Sequence, residues 1–158
     1  CMFNDLVRIK NKIKDKEKIE KIIKETDYGV LSTICKNGYP YGVPLNYTYY
    51  DNNIYLHSAK RGLKIENFKN NDKASFSIVG YKEIIPEKFN TFYESVIIFG
   101  TISEITEIED KKDILLSFIN KYSSNFLSKG YDYVNKAYKG PSVYKLKIEH
   151  ITGKSNKK

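Results

Sequence analysis

Apolar positions change their period along this chain. From residue 15 the isoleucines fall at helical spacing: Ile19, Ile22 and Ile23 form one stripe over residues 16–26, with Asp15 placed to cap the helix. The texture then becomes β-branched and aromatic over residues 28–36 (YGVLSTICK). Asn37-Gly38 is a strong hairpin signal, residues 39–50 (YPYGVPLNYTYY) return as a strand, and Asp51-Asn52-Asn53 turns into a third strand at 54–58 (IYLHS). Turn chemistry predicts a three-strand antiparallel meander. A short helix follows from Gly62, with Leu63, Ile65 and Phe68 on one side. Residues 73–80 and 94–107 read as strands, and Gly100 inside the second marks a bulge or bend. A helix over 110–122, capped by Asp110, buries Ile114, Leu115, Phe118, Ile119 and Tyr122. Residues 123–141 show no clear period. Alternation returns in the last strand, 142–151, with Tyr144, Leu146, Ile148 and His150 on one face. The pattern predicts a mainly β (α+β) fold, a six-stranded antiparallel barrel with peripheral helices. Residues 1–14 read as a basic N-terminal arm, 15–154 as the domain and 155–158 as a polar tail.

Length and composition agree with one globular unit. The chain has 158 residues, 41% hydrophobic and 29% charged, and a domain takes about 150 residues. No apolar run reaches the roughly 18 residues that span a bilayer, and the first thirty residues hold no signal-like apolar core. Met2 reads as the natural start. Cys1 and Cys35 cannot build a disulfide framework, which points to a reducing cytoplasm. The formal charge of +8 is uneven: residues 1–24 carry eight basic and four acidic groups, residues 145–158 five and one, and the middle balances. Basicity at two ends is not a groove. Arg8 and Arg61 are the only arginines, whereas base readout and bidentate phosphate clamps favour arginine. Nucleic acid is therefore not the expected partner.

Candidate chemistry concentrates in His57-Ser58-Ala59-Lys60-Arg61-Gly62-Leu63-Lys64. This segment leaves a strand, passes three cations and enters a helix through glycine. A helix start offers unpaired N–H groups and a positive dipole end to a phosphate. Ser58 adds a hydroxyl donor, and Gly62 permits close backbone approach. The residues alone leave two readings open, a phosphate seat or a solvated basic loop. Val43-Pro44-Leu45-Asn46 is the second element. Pro44 cannot donate to a sheet ladder, so it marks either a plain edge strand or an interruption whose free backbone could bond a flat polar heterocycle. No dinucleotide fingerprint, phosphate-binding P-loop or Cys/His metal spacing occurs. No metal is expected, and any redox chemistry would come from a cofactor.

The order of these pieces carries a resemblance. VPLNY, LHSAKRGLK, the S-V-x-x-F-G-T of Ser95–Thr101 and the S-V-Y-x-L…G-K from Ser142 to Lys154, in that succession, resemble the pyridoxamine-5′-phosphate-oxidase-like FMN-binding split barrels, most of all their nitroimidazole-resistance (Nim-type) branch, over about residues 15–154. The resemblance implies a homodimer with FMN in clefts between the subunits. It puts Val43, Pro44, Leu45 and Asn46 beside the isoalloxazine, and His57 and Ser58 where the third strand meets the flavin and its phosphate tail. It makes Lys64 a phosphate-binding lysine with Lys60, Arg61 and Gly62 beside it. Ser95 becomes a flavin contact, and Lys154 a terminal residue reaching the site. His57 becomes the candidate catalytic residue, orienting or protonating a substrate. The family's C-terminal arginines are missing, since the region reads VYKLKIEHITGK, so oxidation of pyridoxamine phosphate itself is not expected. The implied function is an FMN-dependent oxidoreductase acting on small electron-poor compounds, nitroaromatics among them. The alternative is a non-enzymatic flavin- or haem-binding module, with His57 or His150 as axial ligand.

Overall fold

The computed structural model describes Phe3 and residues 8–157; Cys1, Met2, most of the N-terminal arm and Lys158 lie outside the described residues. The order is β1 (Lys12–Ile13), α1 (Lys16–Glu25), β2 (Tyr28–Ile34), β3 (Pro40–Asn46), β4 (Thr48–Tyr50), β5 (Asn53–Ser58), α2 (Leu63–Asn70), β6 (Lys73–Ile85), β7 (Asn90–Glu104), α3 (Ile108–Tyr122), α4 (Leu127–Ala137) and β8 (Ser142–Asn156). None of the helices among the described residues is long and apolar enough to cross a membrane.

Eight strands form one sheet with the order β3-β2-β6-β7-β8-β5-β4, and β1 pairs β8. The strand β3 stands at one end of that path and β4 at the other, yet only Tyr47 separates them in the chain. The sheet therefore curls until its two ends meet, and a covalent link rather than a hydrogen-bonded ladder closes it: a split barrel. This corrects the expected meander. The run 39–50 is two strands paired to different neighbours, β3 to β2 and β4 to β5. With β1 added, the strands among the described residues number eight rather than six. Parts of the expected arm and tail also belong to the sheet. Lys12 pairs with Lys154, and β8 continues past residue 154 to Asn156, opposite Tyr93.

Inside the curl, Leu31, Tyr47, Ile54, Leu56, Phe76, Ile78, Val96, Ile98 and Leu146 are buried, and the expected stripe of α1 (Ile19, Ile22, Ile23) plugs one mouth. Asp15 caps α1 as expected, accepting from the Glu17 amide. A second apolar cluster lies outside the barrel, where Tyr55 and Val143 meet Ile114, Leu115 and Phe118 of α3 and Val134 of α4. Val143 is thus buried on the face that simple alternation leaves to solvent. The α3 helix begins two residues earlier than expected, from Glu107, so Asp110 lies in its first turn rather than at its cap. The α4 helix escaped the periodicity because Gly130, against Ile119, and Val134 are its only buried residues.

At the split, Tyr47 leaves the ladder. The Tyr122 hydroxyl of α3 accepts from the Tyr47 amide (3.0 Å) and lies within donating distance of the Tyr47 and Asp27 carbonyls (2.7 and 2.5 Å). Next to it, the Lys121 Nζ sits 3.7 Å over the Tyr47 ring, buried and without a hydrogen-bond partner. Burial pushes its pKa down from 10.5 to about 8. The unfolded chain thus binds this proton more tightly, so this group's contribution to stability falls as pH drops from 10.5 towards 8. Discounted for the half of the side chain that stays near solvent, such a shift costs on the order of 2 kcal/mol at pH 7, and the cation–π contact returns about 0.5–1 kcal/mol. Lys121→Met is expected to raise stability at pH 7 by about 1–2 kcal/mol and to flatten the alkaline limb of the profile. Urea unfolding at pH 7 and pH 10 checks this; a less stable variant at pH 7 contradicts it.

Candidate functional site

The strand β5 is covered on both faces. Ile54, Leu56 and Ser58 point into the barrel, while Tyr55 and His57 point to α3. Ser58 is buried opposite Ser142, and its Oγ has no hydrogen-bond partner. An unsatisfied buried hydroxyl costs about 1–3 kcal/mol, so one kept at a strand end invites a ligand acceptor. The chain then turns through exposed Ala59, Lys60 and Arg61 to Gly62, whose φ of 147° is a conformation that side-chain-bearing residues rarely adopt. The α2 helix starts there with no side-chain cap, leaving first-turn amides open to an anion. Half-buried Lys64 is in that turn. Ile65 and Phe68 anchor α2 in the core, and Asn67 Nδ2 donates to Thr33 Oγ1 (3.0 Å) and reaches Cys35 Sγ (3.5 Å), so the turn is held rigidly against β2. Ser58, Lys60, Arg61, Gly62 and Lys64 therefore stand together, and the donor set fits a phosphate.

Ser58→Ala gives two effects of opposite sign. Removing the orphaned hydroxyl is expected to leave the ligand-free protein as stable or up to about 1 kcal/mol more stable, while weakening binding of a flavin mononucleotide by about 1 kcal/mol. Melting without ligand and titration with it check both; a loss of both stability and binding contradicts the reading.

The split supplies the second part. Pro44 pairs with Val30 on the sheet-edge strand β3, where its missing N–H is tolerated. Val43 and Leu45 pack partly on the core, and Pro44 and Asn46 are exposed. Asn46 Nδ2 donates to the Asp27 carbonyl at 3.0 Å. The free side of β3 faces β5 without a ladder between them, although the two strands are in contact. Continuing the Thr48↔Tyr55 register backwards places Asn46 opposite His57. The Val43–Asn46 segment and the His57–Ser58 end of β5 thus flank the gap in the ladder at the split.

His57 lies edge-on to Phe118, with ring centroids 4.5 Å apart at 76°. One side of the imidazole remains exposed, and burial of the other lowers its pKa below the usual histidine value. The ring is neutral at neutral pH. His150, by contrast, is stacked on Phe3 (5.1 Å) and lies 6.4 Å from Phe99, away from this gap in the strand register. Ser95 and Lys154 also stand apart. They pair directly across β7 and β8, with Lys154 Nζ 5.4 Å over the Tyr93 ring. Along β8, Lys154 is twelve residues from the Ser142 that faces Ser58, about 40 Å of extended strand.

Two neighbours of the gap carried no sequence signal. Phe118 packs edge-on against His57. Lys111, half-buried on α3, is close enough to Lys60 for the like charge, after burial, to lower its pKa. Only the packing of α3 against β4 and β5 brings them here. Among the described residues no group of three or more His, Cys, Asp or Glu gathers for a metal.

Comparison with known proteins matches this arrangement to a family. No curated protein matches the chain. Among solved structures it is similar to a protein of Bacteroides thetaiotaomicron assigned provisionally to 5-nitroimidazole antibiotic resistance, at 27% identity and TM-score 0.79 over 91% of this chain and 86% of that one. It is also similar in fold to a FAD-binding protein of Mesorhizobium loti (24%, TM-score 0.62, 90% and 96%) and to a flavocytochrome of Azotobacter vinelandii (16%, TM-score 0.73, 93% and 70%). The model described as pyridoxamine 5′-phosphate oxidase matches residues 15–155, from the α1 cap to the penultimate residue of β8, and by that match the chain belongs to the pyridoxamine 5′-phosphate oxidase family.

Proposed function

We propose that the chain binds FMN as a homodimer in the cytoplasm and works as an oxidoreductase on small electron-poor compounds, nitroaromatics among them. The observation that carries this is the buried, partnerless Ser58 hydroxyl at the mouth of the uncapped α2 helix. In this reading Ser58, Lys60, Arg61, Lys64 and the first α2 amides hold the phosphate, and the open edge of Val43–Asn46 meets the polar rim of the ring through its backbone. When bound, the flavin supplies electrons or hydride. Being neutral, His57 orients a substrate through its ring N–H rather than acting as a cationic acid at neutral pH. Phe118 fixes the direction of that N–H. The separation of Ser95 and Lys154 from the gap supports a dimer, in which a second copy's Lys154 would complete the site. Arg61 is the last arginine in the chain, so the family's namesake reaction is not proposed.

The likeness to the provisional nitroimidazole-resistance protein supports the substrate class, and the FAD-binding neighbour supports a flavin. Neighbours that include a flavocytochrome and a FAD- and haem-binding protein of Mycobacterium smegmatis keep haem as the second reading. Purified protein incubated with FMN and, separately, with haem, then desalted, tests the choice by absorbance. Retained flavin bands and reductant turnover support the proposal. A protein that takes up haem alone, or neither, refutes it.

A further inference from the structure

A cavity of about 1100 Å³ lies away from the Ser58–Lys64 seat, and it gathers lysines from near both ends of the described residues. Because β1 pairs with the end of β8, Lys10, Lys12 and Lys14 stand beside Lys157, and Lys18 and Lys21 of α1 close the other side. The two ends that look separate in sequence thus share one concave wall. Lys14, Lys18, Lys21 and Glu25 recur every three or four residues, one face of the helix and its entry. Among the described residues, Lys10, Lys14, Lys18 and Lys21 have no carboxylate within ion-pair distance, whereas Glu94 is taken by Lys157 and Asp15 by the helix cap. The remaining carboxylates, Glu25 and Asp27, sit at the opposite end with Thr26 and with Tyr28, whose side chain is 60% exposed.

We infer that this cavity binds a nucleoside polyphosphate, with its phosphates along Lys14, Lys18 and Lys21 and its nucleoside at Tyr28. Lysines act as point charges for a flexible phosphate chain and need no bidentate geometry. An exposed tyrosine ring offers a stacking face to a base, and Glu25 and Asp27 can accept from ribose hydroxyls or an exocyclic amine. Concavity favours a compact anion over a strand running across an open face. This inference does not depend on flavin binding.

Calorimetric titration of the full chain with ATP, adenosine and a single-stranded DNA 12-mer tests it. ATP is expected to bind, to weaken steeply between about 50 and 200 mM salt, and to outcompete adenosine by at least about 100-fold. Lys18→Gln combined with Lys21→Gln should cost about tenfold or more in ATP affinity with the melting temperature kept, since both lysines are exposed on α1. Lys64→Ala should leave ATP binding unchanged, which separates this cavity from the phosphate seat. No ATP binding at about 1 mM and low salt, equal affinity in the double variant, loss in Lys64→Ala, or tighter binding of the DNA would each overturn the inference.

Discussion

Gly100→Ala is expected to destabilise the fold by about 3 kcal/mol or more, the upper part of the range for overpacking. A Cβ at this position would fall 2.0 Å from the Lys147 carbonyl oxygen and 3.0 Å from Leu146 Cδ1. The first of these neighbours is backbone, held opposite Thr101 in the β7–β8 ladder, so it cannot yield as a flexible side chain does. Gly100 sits where β7 and β8 lose register, with Phe99 opposite His150 and Gly100 opposite Ile148. That irregularity bends both long strands and lets the sheet curl until β3 and β5 border the split. The substitution therefore attacks the closure itself. Denaturant unfolding measures the loss, and a variant within about 1 kcal/mol of the parent shows that the two strands can separate there without cost.

The second large effect falls on ligand binding. Replacing Lys60 and Lys64 together by alanine is expected to weaken FMN binding by about 2–4 kcal/mol, roughly 30- to 1,000-fold, the sum of two charge-assisted contacts discounted for solvent at the exposed Lys60. Riboflavin, which lacks the phosphate, should bind parent and variant alike. Neither lysine belongs to the buried core, so the variant should melt close to the parent. Fluorescence titration with both flavins separates a phosphate contact from a general loss of the site. Equal weakening of riboflavin would mean that the lysines support the fold of the gap rather than grip an anion.

How much was legible beforehand follows from the range of the forces. Local signals held: the Asp15 cap, the Asn37-Gly38 hairpin, the short helix after Gly62 and the irregularity at Gly100 are each written in a few neighbouring residues. The candidate phosphate seat could be named for the same reason, since Ser58 to Lys64 is one continuous segment. What stayed hidden depends on distant pairing. A run as uniform as 39–50 gives no sign that Tyr47 divides it, because Tyr122, far along the chain, satisfies the backbone there. Lys111 and Phe118 reach the gap only through α3. The meeting of the two basic ends needs the β1–β8 ladder, and Lys12-Ile13 is too short to announce itself as a strand.

The claim on which the account rests is that a phosphate is held at the end of β5. Titrating the parent chain with FMN and with riboflavin, side by side at one salt concentration, tests it most directly. FMN should bind at least about 100-fold more tightly, the work of two or three charge-assisted hydrogen bonds. Equal affinity for the two flavins would contradict it.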